Sequence, residues 1–227
     1  MIQHLACIMD GNRRWARIHG LSVVGKEGID AAYKTVEWCI KKKIPYLSLF
    51  AFSLENFKRP LFEMEPMFVL MVNEMSRRAD ELVRNSVQIR FIGDRNQFPV
   101  YVLDACKKLE HATQNGSIIT VQIFFCYGAR QELVHACKQI MTDITDGILI
   151  KDALTPEKFK QYLWTTGVPD PDLIMRTGFV KRLSNFMLYQ AAYAELYFPD
   201  VLWPDVTPDT LDQALVYYNS CKRNFGV

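Results

Sequence analysis

The sequence predicts a single α/β domain built on a mainly parallel sheet, flanked by helices. Three observations carry that expectation. Short apolar segments rich in β-formers alternate with longer segments of helical periodicity. The short segments are apolar almost throughout, as strands buried on both faces are. A polar cluster then stands directly after each of them, at the end of the strand where such sheets bind ligands.

Residues 5–9 form the first expected strand, an apolar run that ends abruptly in Asp10-Gly11-Asn12-Arg13-Arg14-Trp15. Residues 28–42 carry apolar side chains at 29, 32, 33, 36, 39 and 40, spacings of three and four that predict an amphipathic helix. Residues 46–52 are the second strand. Residues 65–85 are a second helix, whose face includes Met67, Phe68, Met71 and Met75 beside Met64. A Met-rich face either packs in the core or lines a cavity for a long flexible apolar ligand. Strands at 87–92, 119–125 and 173–176 follow, with helices at 101–114 and 130–146 between them. A last helix is expected over 185–198, its N-terminus aimed at the same anion as the preceding loop.

Composition narrows the class. The 227 residues fit one large domain, 49% hydrophobic and 23% charged. A net charge of +2 argues against nucleic acid as partner, since a basic stripe would be expected there. Six cysteines at 7, 39, 106, 126, 137 and 221 form no C-x-x-C and read as buried free thiols in a reducing compartment. The four histidines show no metal-ligand spacing. No signal-peptide pattern and no apolar run of about 18 residues is present, so a cytoplasmic location is expected.

The clusters after the strands suggest the chemistry. They are residues 10–14, 53–59, Gly93-Asp94-Arg95, Tyr127-Gly128-Ala129-Arg130 and Arg176-Thr177-Gly178. Any one of them is an ordinary polar turn. In a parallel sheet all five share one rim, and together they predict a pocket for a polyanion. A carboxylate at a strand end holds a divalent cation, and glycine lets the backbone approach a ligand. Arg176, Arg182 and Ser184 offer paired and single donors to a phosphate. Glu195, in an apolar and aromatic stretch, either meets a buried partner or serves as a second metal ligand beside Asp10. No Walker loop, G-x-S-x-G or strand-linked G-x-G-x-x-G is found.

Residues 4–16 resemble the opening signature of the cis-prenyltransferases, the undecaprenyl diphosphate synthase family. Residues 49–60 are similar to that family's second motif. Ile92-Gly93-Asp94, Tyr127–Arg130, residues 172–178, 182–186 and 193–198, Leu202-Trp203-Pro204-Asp205 and the ending Arg223-Asn224-Phe225-Gly226 resemble the rest, in order. The resemblance implies a Mg²⁺-dependent enzyme that adds isopentenyl diphosphate to an allylic diphosphate such as farnesyl diphosphate, each new double bond being cis. It implies a hydrophobic product tunnel, a homodimer, and room for peripheral membrane contact at product release. By motif position, Asp10 and Glu195 hold the metal and Asn56 takes part in proton removal. Gly11, Asn12, Arg13 and Arg14 cradle the allylic diphosphate with Trp15 beside it. Ser53, Leu54, Glu55, Phe57 and Arg59 form a second wall, and Arg176, Arg182, Leu183 and Ser184 bind isopentenyl diphosphate. The loop at 20–28 lacks the arginine and histidine common in the family, with Lys26 as a replacement cation. Arg176-Thr177-Gly178 is followed by Phe179-Val180 in place of a glycine and an acid, and Phe57 stands where tryptophan is common. A long undecaprenyl-type carrier for bacterial cell-wall synthesis is the leading expectation. A shorter-chain relative and a catalytically weak subunit of a heteromeric enzyme stay open beside it.

Overall fold

The structure, a computed structural model, describes residues 2–21 and 25–222. In order along the chain they form β1 (His4–Ile8), α1 (Asn12–Ile18), α2 (Glu27–Lys42), β2 (Tyr46–Ser53), α3 (Leu61–Arg84), β3 (Val87–Ile92), α4 (Val100–Thr113), β4 (Ile119–Tyr127), α5 (Ala129–Thr145), α6 (Pro156–Lys160), β5 (Leu173–Arg176), β6 (Glu195–Tyr197) and α7 (Pro208–Ser220). The six strands pair in the order β3-β4-β2-β1-β5-β6, every pair parallel. This is the predicted α/β sheet. The strands at 87–92 and 173–176 have the expected bounds, those at 5–9, 46–52 and 119–125 start or stop within two residues of them, and β6 is additional.

The strand order locates the site. From β1 the chain moves to one side for β2, β3 and β4, then returns to the other side for β5 and β6. The direction reverses between β1 and β5, and beyond the carboxyl ends at such a reversal a crevice opens. The register makes the crevice level. Ile8 pairs with Phe50 on one side and with Arg176 on the other, so residues 9–14, 53–59 and 176–184 leave the sheet at one height.

Two apolar layers hold the sheet. On one face Leu5, Cys7, Leu49 and Phe52 pack with residues of α2, α3, α4 and α7. On the other face Phe50, Phe124 and Tyr127 pack around Phe186, which stacks on Phe50 at 4.7 Å. Helix ends follow local chemistry. Glu27 and Asp30 open α2 and Lys41 and Lys42 close it, matching the helix dipole. Thr207 and Thr210 form a reciprocal cap at the start of α7.

Three expectations are corrected. No helix runs over 185–198; the segment is a series of turns, a short 3₁₀ turn at Gln190–Tyr193 and the edge strand β6. Ser184, Asn185 and Met187 have φ of 51°, 63° and 44°, which a right-handed helix excludes. Helix α3 begins at Leu61, four residues before the predicted start, because exposed Leu61 and Phe62 hide its apolar stripe. Cys137 is exposed and Cys221 half-buried, so only four of the six thiols are core residues. Among the described residues no helix is long and apolar enough to cross a membrane.

Candidate active site

The cleft beyond the strand ends has a volume of about 770 Å³. Among the described residues six guanidiniums face it, those of Arg13, Arg14, Arg17, Arg59, Arg176 and Arg182, against the carboxylates of Asp10 and Glu55. That imbalance is the electrostatic signature of a polyanion site.

Asp10 sits at its centre. It follows β1 through a turn closed by Asp10 N–H donating to the Ile8 carbonyl at 2.9 Å. Its carboxylate accepts from Arg14 Nη2 at 3.2 Å and from Arg176 Nη2 at 2.8 Å. The hydroxyl of buried Thr177 donates to the Asp10 carbonyl at 2.6 Å and pins the turn. Two glycines make this fit. Gly11 has φ +113°, and a Cβ there would meet Leu202 at 2.8 Å. Gly178 has φ +85°, and a Cβ there would meet the Arg14 guanidinium at 2.5 Å and Asp10 at 3.0 Å.

Arg176 is the buried cation of the site, its side chain 5% exposed. It donates to the Arg182 carbonyl, to Ser184 Oγ at 2.7 Å and to Asp10. Its Nε is buried and has no hydrogen-bond partner among the described residues. The loop that wraps it is strained, with left-handed backbone at Phe179, Ser184, Asn185 and Met187, as functional loops often are. Arg182 is exposed and donates to Ser184 Oγ at 3.2 Å. Asn185 latches the rim together. Its amide donates to Glu55 Oε1 at 2.9 Å and to Gln131 Oε1 at 3.2 Å, and its Oδ1 accepts from the Arg130 N–H at 2.9 Å.

The opposite wall comes from the loop after β2. Ser53 and Asn56 cap it reciprocally, with the Ser53 N–H donating to Asn56 Oδ1 at 3.1 Å. Burial would raise the Glu55 carboxyl, but hydrogen bonds from its own backbone, from Asn185 and from Ser53 outweigh it and the net shift is down. Burial, then the like charge of Arg13, lowers Arg59 below the ordinary arginine value. Crowded guanidiniums of this kind gain most when an anion arrives between them.

An apolar cavity of about 180 Å³ opens from the cleft between α2, α3 and the sheet. Met9, Asn12, Ala51, Phe52 and Met67 border both spaces and so form the passage. Asn12 donates to the Met9 carbonyl at 2.9 Å, while its Oδ1 is buried and has no partner among the described residues. Beyond it, Met71 and Met75 line the cavity. Phe68 and Met64 do not. Phe68 is buried against Phe52 and Phe125, with ring centroids 5.1 and 5.3 Å away, so it belongs to the core.

The site residues expected from the sequence divide accordingly. Asp10, Gly11, Asn12, Arg13, Arg14, Ser53, Glu55, Asn56, Arg59, Arg176, Arg182 and Ser184 line the cleft. Six others stand elsewhere. Trp15 turns away, donating to Asp205 at 2.6 Å and stacking on His19. Leu54 and Phe57 pack on one apolar layer and Leu183 on the other. Lys26 is exposed at the start of α2 and is not on the cleft wall; residues 22–24 beside it, and the ending 223–226, lie outside the described residues. Glu195 is not brought to Asp10 within one chain. It sits on the neighbouring edge strand β6 and pairs with Leu173 at the start of β5, about 10 Å along the strand from Arg176. The clusters after β3 and β4 do not line the cleft: Arg95 pairs with Glu110 at 2.7 Å, and Arg130 is exposed. Arg17 was not anticipated, although it follows Arg13 by one helical turn and so shares its face.

Among the described residues no three His, Cys, Asp or Glu side chains converge as a metal cage would require. Asp10 alone, its side chain 32% exposed to the cleft, fits Mg²⁺ of the kind held by one carboxylate plus phosphate oxygens and water.

Residues 8–226 match the sequence family described as "Putative undecaprenyl diphosphate synthase". An isoprenyl transferase of Thermotoga maritima is 42% identical over 99% of this chain and 96% of its own length. A ditrans,polycis-undecaprenyl-diphosphate synthase of Xylella fastidiosa, described as (2E,6E)-farnesyl-diphosphate specific, is 38% identical over 99% of this chain and 89% of its own. The crystal structure of lavandulyl diphosphate synthase from Lavandula x intermedia, in complex with dimethylallyl diphosphate, superposes with a TM-score of 0.95 at 31% identity, covering 100% of this chain and 98% of that one.

Proposed function

The chain belongs to the undecaprenyl diphosphate synthase family, and from that premise we propose that it is a Mg²⁺-dependent cis-prenyltransferase. It condenses isopentenyl diphosphate onto farnesyl diphosphate or a similar allylic diphosphate and repeats the addition to make a (Z)-polyprenyl diphosphate. The observation that carries the reading is the junction of two spaces: a cationic cleft for diphosphates opens through Asn12, Phe52 and Met67 into an apolar cavity for a tail.

In each cycle the bond between C1 of the allylic chain and its diphosphate oxygen breaks, and the diphosphate keeps the electron pair. The double bond of isopentenyl diphosphate supplies the electrons of the new carbon–carbon bond. A proton leaves its C2 as the new double bond forms. Arg13 and Arg14, beside the N–H groups that follow Gly11, hold the leaving diphosphate. Arg176, Arg182 and Ser184 hold the isopentenyl diphosphate, with Arg176 positioned by Asp10 and Ser184. Asn56, oriented through the Ser53 N–H, stands on the opposite wall, where it takes part in proton removal. Magnesium, when bound, neutralises charge developing on the leaving diphosphate, and Asp10 is the carboxylate that would hold it.

Assembly as a homodimer, membrane contact at product release, cytoplasmic location and supply of a cell-wall carrier belong to the same reading. For the dimer, the support on this chain is the edge strand β6, which leaves Leu196 and, just before it, Tyr193 exposed. A second reading, a short- or medium-chain product, is favoured by the cavity's size. At about 180 Å³ it is little larger than the roughly 150 Å³ void that holds one benzene. Incubation with farnesyl diphosphate, labelled isopentenyl diphosphate and Mg²⁺, with a chelated control, tests the proposal. A metal-dependent ladder of cis-extended products is expected. No incorporation of label under any of these conditions would refute it.

A further inference from the structure

Where the apolar cavity reaches the seam between α2 and α3, its lining changes character. Glu74 of α3 is buried and faces the cavity beside Met71, Met75 and Tyr33. Its carboxylate accepts from Arg77 Nε at 3.1 Å and from Arg78 Nε at 3.2 Å. The Arg78 side chain is 15% exposed and reaches across to pair with Asp30 of α2. Its guanidinium lies 3.8 Å from the centroid of the Tyr33 ring. One ionic cluster therefore joins the two helices that flank the cavity, and none of its members lines the diphosphate cleft.

A hydrocarbon advancing along Met67, Leu70 and Met71 gains burial with every carbon. At the seam it meets hydrogen-bonded charges. Passing them would pull Glu74 away from Arg78, a pair whose side chains are only 12% and 15% exposed, and break charged hydrogen bonds inside the cluster, which is unfavourable. We infer that the Asp30–Arg78–Glu74 cluster is a specificity-determining stop, closing the apolar cavity at the α2–α3 seam and setting the length at which elongation ends. The inference rests on the prenyl-elongation reading above.

Product sizing after incubation with farnesyl diphosphate, labelled isopentenyl diphosphate and Mg²⁺ tests it on three variants. Arg78→Met removes the guanidinium but keeps an apolar stem. Asp30→Asn removes one charge at constant shape, and Asp30→Glu restores it. The ladder of Arg78→Met and Asp30→Asn should extend by at least one five-carbon unit, while the rate of the first addition stays within about threefold. Asp30→Glu should keep the parent ladder. An unchanged or shortened ladder in both charge-removing variants overturns the stop. A thermal melt run alongside shows whether Arg78→Met folds, and Asp30→Asn decides alone where it does not. Failure of the unaltered protein to extend farnesyl diphosphate removes the reaction and the stop together. A parent ladder that the variants leave untouched removes only the stop.

Discussion

At the scale of single residues, the cleft is organised by one carboxylate held between two arginines. Asp10 accepts from Arg14 and Arg176, and the cations so positioned face the space a diphosphate would fill. Asp10→Asn keeps the shape and removes the charge. Turnover is expected to fall by roughly 10²–10³, the usual loss for one electrostatic stabiliser, with the circular dichroism spectrum unchanged. Near-parent turnover would take Asp10 out of the chemistry. Arg182 and Arg176 differ in a way their spacing conceals. Arg182 is exposed and Arg176 is buried under it, donating to its carbonyl. Arg182→Ala should therefore raise the KM for isopentenyl diphosphate about ten- to a hundredfold, the weight of one charged hydrogen bond, while leaving the melting temperature close to the parent value. An equal rise in the KM for farnesyl diphosphate would assign Arg182 to the other subsite. Much of this cleft is legible in the sequence, because carboxylate, glycine and arginines follow apolar runs that only buried strands explain. Trp15 and Lys26 are not, since their motif position says nothing about which side of a helix or loop they face.

At the scale of elements, register decides what a motif means. Glu195 carries a persuasive context, yet it begins a three-residue edge strand whose pairing with Leu173 fixes it at the far end of β5. No local pattern reveals so short a strand, and an apolar, aromatic run reads equally well as a helix. The left-handed residues at 184, 185 and 187 exclude that helix, and composition does not announce them. Helix α3 separates core from cavity along one stripe. Phe68 packs among Phe52 and Phe125, whereas Met71 borders the cavity. Phe68→Ala should lower stability by about 3–5 kcal/mol and leave product length alone, while Met71→Trp should shorten products. The reverse pattern in melts and chromatography would exchange their roles. Across the sheet, His4 of β1 contacts Ser48 Oγ of β2 at 2.8 Å and donates from Nδ1 to the Pro169 carbonyl at 2.7 Å. Burial lowers its pKa from 6.5 to about 4. The folded state thus binds a proton less readily than the unfolded one. The contribution is complete above pH 6.5 and is lost as pH falls towards 4, about 3 kcal/mol at the limit. Denaturant titrations of the parent and His4→Gln at pH 7 and 4.5 read this directly. An identical loss of stability in both would mean His4 is not the group responsible.

At the scale of the whole molecule, an all-parallel sheet with its reversal between β1 and β5 places three loops at one height and lets two helices lean over the adjoining face. The cleft and the apolar cavity are two parts of one path, separated by the side chains at Asn12, Phe52 and Met67. The fold class was readable from alternation alone, because strands and helices differ in period and the inner strands β1 and β5 are buried on both faces. The path was not, since it depends on how far α2 and α3 stand from the sheet, a distance no spacing encodes. The most direct measurement is a crystal structure with a non-hydrolysable thio analogue of farnesyl diphosphate and Mg²⁺. The diphosphate is expected among Asp10, Arg13 and Arg14, with the tail passing Met67 into the cavity between α2 and α3. A tail lying in the open cleft, or a diphosphate bound away from Asp10, would contradict the account.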